Sequence, residues 1–262
     1  MRLFAVISGK KLALGAAVLA VICVTAHAVW GAKDILLASA TKKDLPIYSV
    51  EREEKICSLT FDAAWGNEDT AQLIEILGEH DIRATFFVVG EWAEKYPESV
   101  KQLADAGHEV MNHSSTHPHM TELSTDAMIE EVRSCNEKIE RITGTCPTLF
   151  RPPYGDYNDA VVSTLRSIGM YTIQWDVDSL DWKDPAPEEI VRRVVDNARS
   201  GSIILFHNAA KNTPAALPDV IDGLCEKGFS FAPVSELIYT GSYTIDHTGR
   251  QIPDGEAAGS GA

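Results

Sequence analysis

Two histidines four positions apart, His113 and His117, are the residues whose type and spacing first indicate chemistry in this sequence. Neutral imidazole is the commonest side-chain ligand for divalent metals, and Zn²⁺ accepts it readily. If the backbone coils here, both side chains lie on one helical face and can share one cation. The three residues between them include no glutamate, which excludes the helical motif of zinc proteases. Because this spacing also arises by chance, a metal site needs support from the rest of the chain.

Further reactive side chains follow segments that have the composition of strands. Asp62 follows one such segment, and Arg151, Asp181 and His207 follow others further along the chain. Each of them also has a structural explanation, since an aspartate often caps a helix and an arginine often pairs with a surface carboxylate. Their repeated position after strands is nevertheless what one active site at a single edge of a sheet requires.

The apolar pattern predicts strands and helices that alternate from Ile56 to Ala232. Strands are expected at 56–61, 84–89, 108–111, near 149, 171–175, 203–206 and 229–232. Helices are expected at 68–77, 97–106, 124–142, 159–168, 187–198 and 216–227. The longest helix has Ser124 as its N-cap and is closed by Gly144. About seven repeats favour a parallel α/β barrel over an open sheet, with the chemistry at the carboxyl ends of the strands.

Five motifs, taken in this order, resemble those of the polysaccharide deacetylases, which share the NodB homology domain and form carbohydrate esterase family 4. They are Thr60-Phe61-Asp62, His113-x-x-x-His117, Arg151-Pro-Pro-Tyr-Gly155, Asp178-x-x-Asp181-Trp182 and Leu205-x-His207. The resemblance covers roughly residues 55 to 238. The short form with an apolar N-terminal segment is similar to the sporulation-associated PdaB-like branch.

The resemblance implies a distorted (β/α) barrel of about seven strands. It also implies an activity, the metal-assisted removal of N-acetyl groups from amino sugars of peptidoglycan or a chitin-like glycan. A divalent metal, expected to be Zn²⁺, would be bound by His113 and His117 and would acidify a water molecule.

The remaining roles are also implied by the resemblance. Asp62 is expected to be the general base, kept ionised by Arg151, and His207 the general acid, held charged by Asp181. The backbone N–H of Tyr154 would contribute to an oxyanion site. Leu205 and Trp182 are expected to line the pocket for the acetyl group and the sugar, whereas His108 and His119 are expected to be structural or surface residues.

The sequence departs from the family pattern at Ala63, where the usual motif has a second acid that binds the metal. An alanine side chain cannot bind a metal, so the site is expected to be weaker by one charge–charge attraction. Three outcomes are open: water replaces the acid, Glu68 or Asp69 reaches in, or the metal is lost. The alternative function is a membrane-tethered glycan-binding or scaffold protein with a degenerate metal site.

The N-terminal residues resemble an export signal. Arg2, Lys10 and Lys11 precede an apolar stretch from Leu12 to Trp30, which is long enough to span a bilayer. A small-x-small sequence ending at Ala28 also fits a cleavage site, so a signal anchor and a cleaved signal peptide both stay open. Either one places the rest outside the cytoplasm. The expected organisation is a signal segment at 1–32, a stalk at 33–54, the NodB homology domain at 55–240 and a flexible tail at 241–262.

Charge and cysteine content narrow the function further. A net charge of -15 argues against a nucleic-acid partner, because phosphate binding requires a basic face. The expected partners are the cell-wall glycan and, through the N-terminal segment, the membrane. Export would permit disulfides such as Cys135–Cys146, although small buried thiols are the preferred interpretation for most of the cysteines.

Overall fold

The computed structural model describes residues 43–255, and the described residues from Asp44 onward form one compact unit. Its strands are β1 (Ser49–Val50), β2 (Ile56–Ala63), β3 (Thr85–Val88), β4 (Glu109–Asn112), β5 (Leu149–Phe150), β6 (Tyr171–Thr172), β7 (Val177–Asp178), β8 (Ile203–His207), β9 (Ser230–Phe231), β10 (Tyr243–Ile245) and β11 (Arg250–Pro253). Its helices are α1 (Thr70–Glu79), α2 (Gly90–Lys95), α3 (Pro97–Asp105), α4 (Thr125–Thr143), α5 (Asp159–Ser167), α6 (Pro187–Asn197), α7 (Thr213–Glu226) and α8 (Val234–Leu237).

Seven parallel strands form an incomplete barrel in the order β6-β5-β4-β3-β2-β8-β7, and β9 pairs with the start of β2. Residues 47–50 run from the β6 edge to the start of β8. There the amide of Ile47 donates to the Thr172 carbonyl at 2.9 Å and the amide of Val50 donates to the Gly201 carbonyl at 2.9 Å. The expected distorted barrel is confirmed.

Alternate side chains of β2 face two different environments, as the period of a strand requires. Phe61 belongs to the core under the helices, where its ring stacks on Phe86 at 4.8 Å and on Phe206 at 5.4 Å. Thr60 and Asp62 face the other way, toward the buried guanidinium of Arg151. Because the odd-numbered residues of β2 pack in this core, the side chains of Thr60 and Asp62 must point to the opposite face of the strand.

Local signals placed the longest helix correctly. The Ser124 hydroxyl accepts the Ala127 amide at 3.3 Å, and Gly144 adopts the left-handed conformation with φ of 75° at the other end. Both are favourable terminations, because they use backbone groups that a helix leaves unpaired.

The domain is longer at both ends than the sequence indicated. Strand β1 pairs with β11, which pairs with β10, so parts of the expected stalk and tail form a three-stranded sheet. Ile47 and Val50 are buried. The expected signal segment at 1–32 lies outside the described residues. Within residues 43–255, no helix combines the length and apolarity needed to cross a bilayer.

The four cysteines of the described chain are free thiols. Cys57 and Cys135 are buried, as expected for most of the cysteines, whereas Cys146 and Cys225 are exposed. The conceivable Cys135–Cys146 bond is not formed.

Candidate active site

A cleft of about 740 Å³ lies at the carboxyl ends of the central strands. Seven of the nine site residues expected from the sequence line it, namely Asp62, His113, His117, Tyr154, Trp182, Leu205 and His207. The other two, Arg151 and Asp181, are fully buried beneath it and bind Asp62 and His207. The structure therefore brings all nine residues together.

Asp62 is held in the cleft by a buried ion pair. Nη1 of Arg151 donates to Oδ1 of Asp62 at 2.7 Å and to the Thr60 hydroxyl at 2.9 Å, and Nη2 donates to the Gln174 carbonyl at 3.1 Å. Burial alone would raise the pKa of the Asp62 carboxyl, but the positive charge of Arg151, with a contribution from His207, lowers it below its usual value. The lowered pKa favours the ionised form of Asp62, which is the form that can accept a proton. Thr60 and Gln174, which orient the guanidinium, had no assigned role in the sequence interpretation.

His207 is oriented by Asp181. Nδ1 of His207 lies 2.8 Å from Oδ1 of Asp181, whose Oδ2 accepts the His207 amide at 2.8 Å and the Thr213 hydroxyl at 2.7 Å. Burial would lower the pKa of the imidazole, but the hydrogen bond to Asp181 and its charge raise it above the usual value. His207 therefore favours the protonated form, with Nε2 as the nitrogen available to a bound molecule.

The register of the sheet sets Asp62 beside His207. The two residues are partners on the adjacent parallel strands β2 and β8. Register partners in a parallel pair point to the same face, so a carboxyl with a lowered pKa and an imidazole with a raised pKa border the same cleft.

His113 and His117 lie on a loop after β4 and not on a helix, so the expected helical face is wrong. Their rings are nevertheless 5.0 Å apart. The turn is made by left-handed backbone at Ser114 (φ 69°) and His117 (φ 61°), and the Ser114 hydroxyl accepts the His117 amide at 2.9 Å. Nδ1 of His113 lies 2.7 Å from the Arg151 carbonyl, which can only accept a hydrogen bond, so Nε2 is the unprotonated nitrogen of the neutral ring.

Both imidazoles favour their neutral form. Burial is the main cause that lowers the pKa of His113, and it is also the main cause that lowers the pKa of His117 to about 4. A neutral imidazole is the form that binds metals.

A third ligand is missing. Across residues 43–255, no group of three or more His, Cys, Asp or Glu side chains is arranged to hold a metal ion. Ala63 is buried in the core under the helices. The carboxylate of Glu68 accepts the Asn67 amide at 2.9 Å, and that of Asp69 accepts the Ala209 amide at 2.8 Å. Neither acid forms a three-ligand group with the two histidines, so neither takes the place of the missing ligand in the described residues.

The histidine loop is anchored by α4. The carboxylate of Glu131 accepts the amides of Ser115 and Thr116, each at 2.9 Å, and the Thr116 hydroxyl at 2.9 Å. The side chain of Asn112 accepts the Ser114 amide at 2.7 Å. Nothing in the sequence distinguishes Glu131 from the other acids of this helix, because its function depends on the loop that packs against it.

Exposed aromatic side chains surround the cleft. Tyr154 is 61% exposed, Trp65 59% and Trp182 56%. Tyr154 adopts left-handed backbone (φ 60°), and its ring stacks on that of His119 at 4.3 Å. His119 is a surface residue, as expected, but it also supports Tyr154. Trp65 had no predicted role in the site, because this residue belongs to none of the five motifs.

Backbone strain is concentrated at this end of the barrel. Among the described residues, seven non-glycine residues have positive φ, and all except Asp81 lie in the loops around the cleft. Such conformations cost about 1–3 kcal/mol each and cluster at functional sites.

Comparison with known proteins identifies the family. The sequence profile described as polysaccharide deacetylase matches residues 49–173. A peptidoglycan-N-acetylglucosamine deacetylase from Bacillus cereus is 36% identical over 196 residues, which cover 73% of this chain and 92% of the relative. This chain belongs to the polysaccharide deacetylase family.

Other members of the polysaccharide deacetylase family differ in length and in activity. The match to the peptidoglycan-N-acetylmuramic acid deacetylase PdaC of Bacillus subtilis is 36% identical and covers 72% of this chain and 40% of PdaC. An uncharacterized Bacillus subtilis relative, 35% identical, is matched over 60% of its length. The structure of a pseudoenzyme from Bacillus anthracis, a member of carbohydrate esterase family 4, is 38% identical and has a TM-score of 0.71 over 73% of this chain and 68% of that one. A mutant of that pseudoenzyme with restored enzymatic activity is 40% identical, with a TM-score of 0.71 over 73% of this chain and 70% of the mutant.

Proposed function

We propose that this protein hydrolyses N-acetyl groups on amino sugars of a cell-wall glycan, with peptidoglycan as the substrate. The observation that carries the proposal is the pair of register partners Asp62 and His207, which border one cleft, each with a buried counter-charge. Relatives named as peptidoglycan deacetylases support the choice of polymer. The proposal includes action outside the cytoplasm, with the chain anchored by its N-terminal segment or secreted after cleavage. The similarity to the PdaB-like branch suggests sporulation as the setting.

The reaction uses the opposite protonation states of these two residues. Asp62 accepts a proton from the attacking water, whose oxygen forms a bond to the acetyl carbonyl carbon. The backbone N–H of Tyr154 donates to the oxygen that becomes negative. The C–N bond then breaks as His207 gives its proton to the nitrogen, which leaves acetate and a free amine on the sugar. Leu205 and Trp182 line the pocket for the acetyl group and the ring.

His113 and His117 are the donors that would hold a divalent cation, with Zn²⁺ as the proposed ion. The bare Nε2 of His113 and the neutral state of both rings suit such an ion, while the missing anionic ligand makes its binding weaker. When bound, the ion supplies Lewis acidity to the water and to the carbonyl oxygen.

A second candidate function is binding of the glycan without hydrolysis. Ala63 favours it, because no other acid in the described chain replaces the missing ligand. The Bacillus anthracis relative described as a pseudoenzyme supports it as well.

Acetate release separates the two functions. The full chain is incubated with peptidoglycan or N-acetylglucosamine oligomers, with added Zn²⁺ or Co²⁺, and compared with an Asp62→Asn/His207→Ala double variant. Acetate from the native chain only supports hydrolysis. Glycan binding without acetate under any metal supports the second candidate, and the absence of both binding and acetate contradicts both.

A further inference from the structure

Within residues 43–255, exposed large apolar side chains are few and concentrate at the cleft. Of the four large hydrophobic side chains that are exposed in residues 43–255, Trp65, Tyr154 and Trp182 line the cleft, and only Ile168 lies elsewhere. Grouped exposed apolar surface marks a binding site more often than scattered residues do. Tyr154 and Trp182 belong to the motifs of the family, whereas Trp65 has no role yet.

Hydrogen bonds hold the backbone of Trp65, while its side chain is largely exposed. Its carbonyl accepts Nε1 of Trp92 at 3.0 Å and is also bonded by the amide group of Asn208. The Asn208 side chain accepts the neighbouring Ala64 amide at 3.1 Å. These bonds tie the loop after β2 to α2 and to the loop after β8. An aromatic ring presented on a fixed loop loses little conformational entropy when a ligand binds.

The Trp65 ring lies on the histidine side of the cleft. Its centroid is 5.5 Å from that of His117 in an edge-to-face contact, and His117 is 4.5 Å from the ring of Tyr154. Trp182, by contrast, follows β7, on the other side of β8 and His207. In the proposed reaction the acetyl group lies between Asp62 and His207, which leaves the indole of Trp65 for the next sugar of the chain.

We propose that Trp65 is a binding platform for the sugar ring next to the reacting one, and hence that the ligand is an extended N-acetylated glycan and not a single sugar. The apolar C–H face of a pyranose stacks on an indole face, which offers a large rigid surface. This inference rests on the proposed function for the class of ligand and adds a subsite to it. The strand that lacks the usual acid at position 63 is thus followed, two positions later, by a sugar-binding residue.

Calorimetric titration of the full chain with the N-acetylglucosamine tetramer and with the monosaccharide tests the inference. Trp65→Ala is expected to lower the affinity for the tetramer about tenfold, or about 1.4 kcal/mol, and to leave the affinity for the monosaccharide unchanged. Trp65→Phe is expected to lose less, and Ile168→Ala, an exposed apolar residue away from the cleft, to lose nothing. Circular dichroism melting of each variant checks the fold.

The outcomes separate this inference from the proposed hydrolysis. Tetramer binding that is unaffected by Trp65→Ala, or equal weakening of both ligands, overturns the subsite. Binding that depends on Trp65 without any acetate release overturns hydrolysis alone. Acetate release whose KM and kcat are unchanged in Trp65→Ala overturns the subsite alone, and a native chain that binds no glycan overturns both.

Discussion

Nε2 of His113 lies 3.5 Å from Oδ2 of Asp62, and both side chains are buried. Because Nδ1 of His113 faces a carbonyl, the neutral ring presents a lone pair to a carboxylate oxygen. Two acceptors that face each other across a small gap repel unless a positive charge lies near them. Arg151 supplies part of that charge, and a bound cation would supply the rest.

Ala63→Asp is expected to raise Zn²⁺ affinity at least tenfold, because it restores the anionic ligand that the family motif has at this position. Ala63 lies in an apolar core, so the metal-free variant should melt at a lower temperature than the native chain and recover when Zn²⁺ is added. Calorimetry and thermal melting measure both effects. Ile168→Asp is the control, since it adds a carboxylate at an exposed position that does not line the cleft. Equal Zn²⁺ affinity of Ala63→Asp and the native chain would show that position 63 does not reach the ion.

Asp62→Asn is expected to reduce acetate release about 10²- to 10⁴-fold, since an amide cannot accept the proton of the attacking water. Asp184→Asn removes a carboxylate that also lines the cleft but contacts neither Arg151 nor His113, so its rate should stay near that of the native chain. Initial rates of acetate release compare them. Similar losses in both variants would mean that the negative charge of the cleft matters and not the base at Asp62.

The pKa of His207 is expected to fall in Asp181→Asn. Burial opposes the charged imidazole, whereas the hydrogen bond and the charge of Asp181 favour it, and the substitution removes that charge. NMR titration of the ring protons reports the change directly. The folded pKa of His207 is raised, so the pair stabilises the fold fully below the ordinary histidine pKa. That contribution is lost as the pH rises through the folded value. An unchanged pKa of His207 in the variant would show that Asp181 does not cause the raised pKa.

Glu131→Ala is expected to lower the free energy of unfolding by about 1–3 kcal/mol, because it leaves two amides and a hydroxyl of the histidine loop without their acceptor. The same change should weaken Zn²⁺ binding, since His117 follows that loop. Urea denaturation and calorimetry measure the two effects. Glu130→Ala removes an exposed neighbour on the same helix and should change neither. If the two variants behave alike, the hydrogen bonds from Ser115 and Thr116 to Glu131 do not stabilise the fold or the metal site.

Much of the site could be read from the sequence because it depends on local order. The alternating strand and helix patterns of the sequence predict the barrel. Because the carboxyl ends of parallel strands meet at one edge, the sequence alone predicts that Asp62, Arg151 and His207 lie close together. The capping residues Ser124 and Gly144 fixed the longest helix, since caps act on adjacent backbone. The missing acid at Ala63 was also visible directly.

The remainder was decided by contacts between distant segments. Strand β1 has two residues and pairs with β11 about 200 positions later, and so short a strand has no period of its own to detect. The histidine pair meets through left-handed backbone held by Glu131 and Ser114, not through a helix, because side-chain hydrogen bonds across the loop outweigh local preference. Likewise only the folded chain shows that Glu68 and Asp69 are engaged by nearby amides. Sequence determined which groups reach the cleft, and tertiary packing decided how each one is aimed.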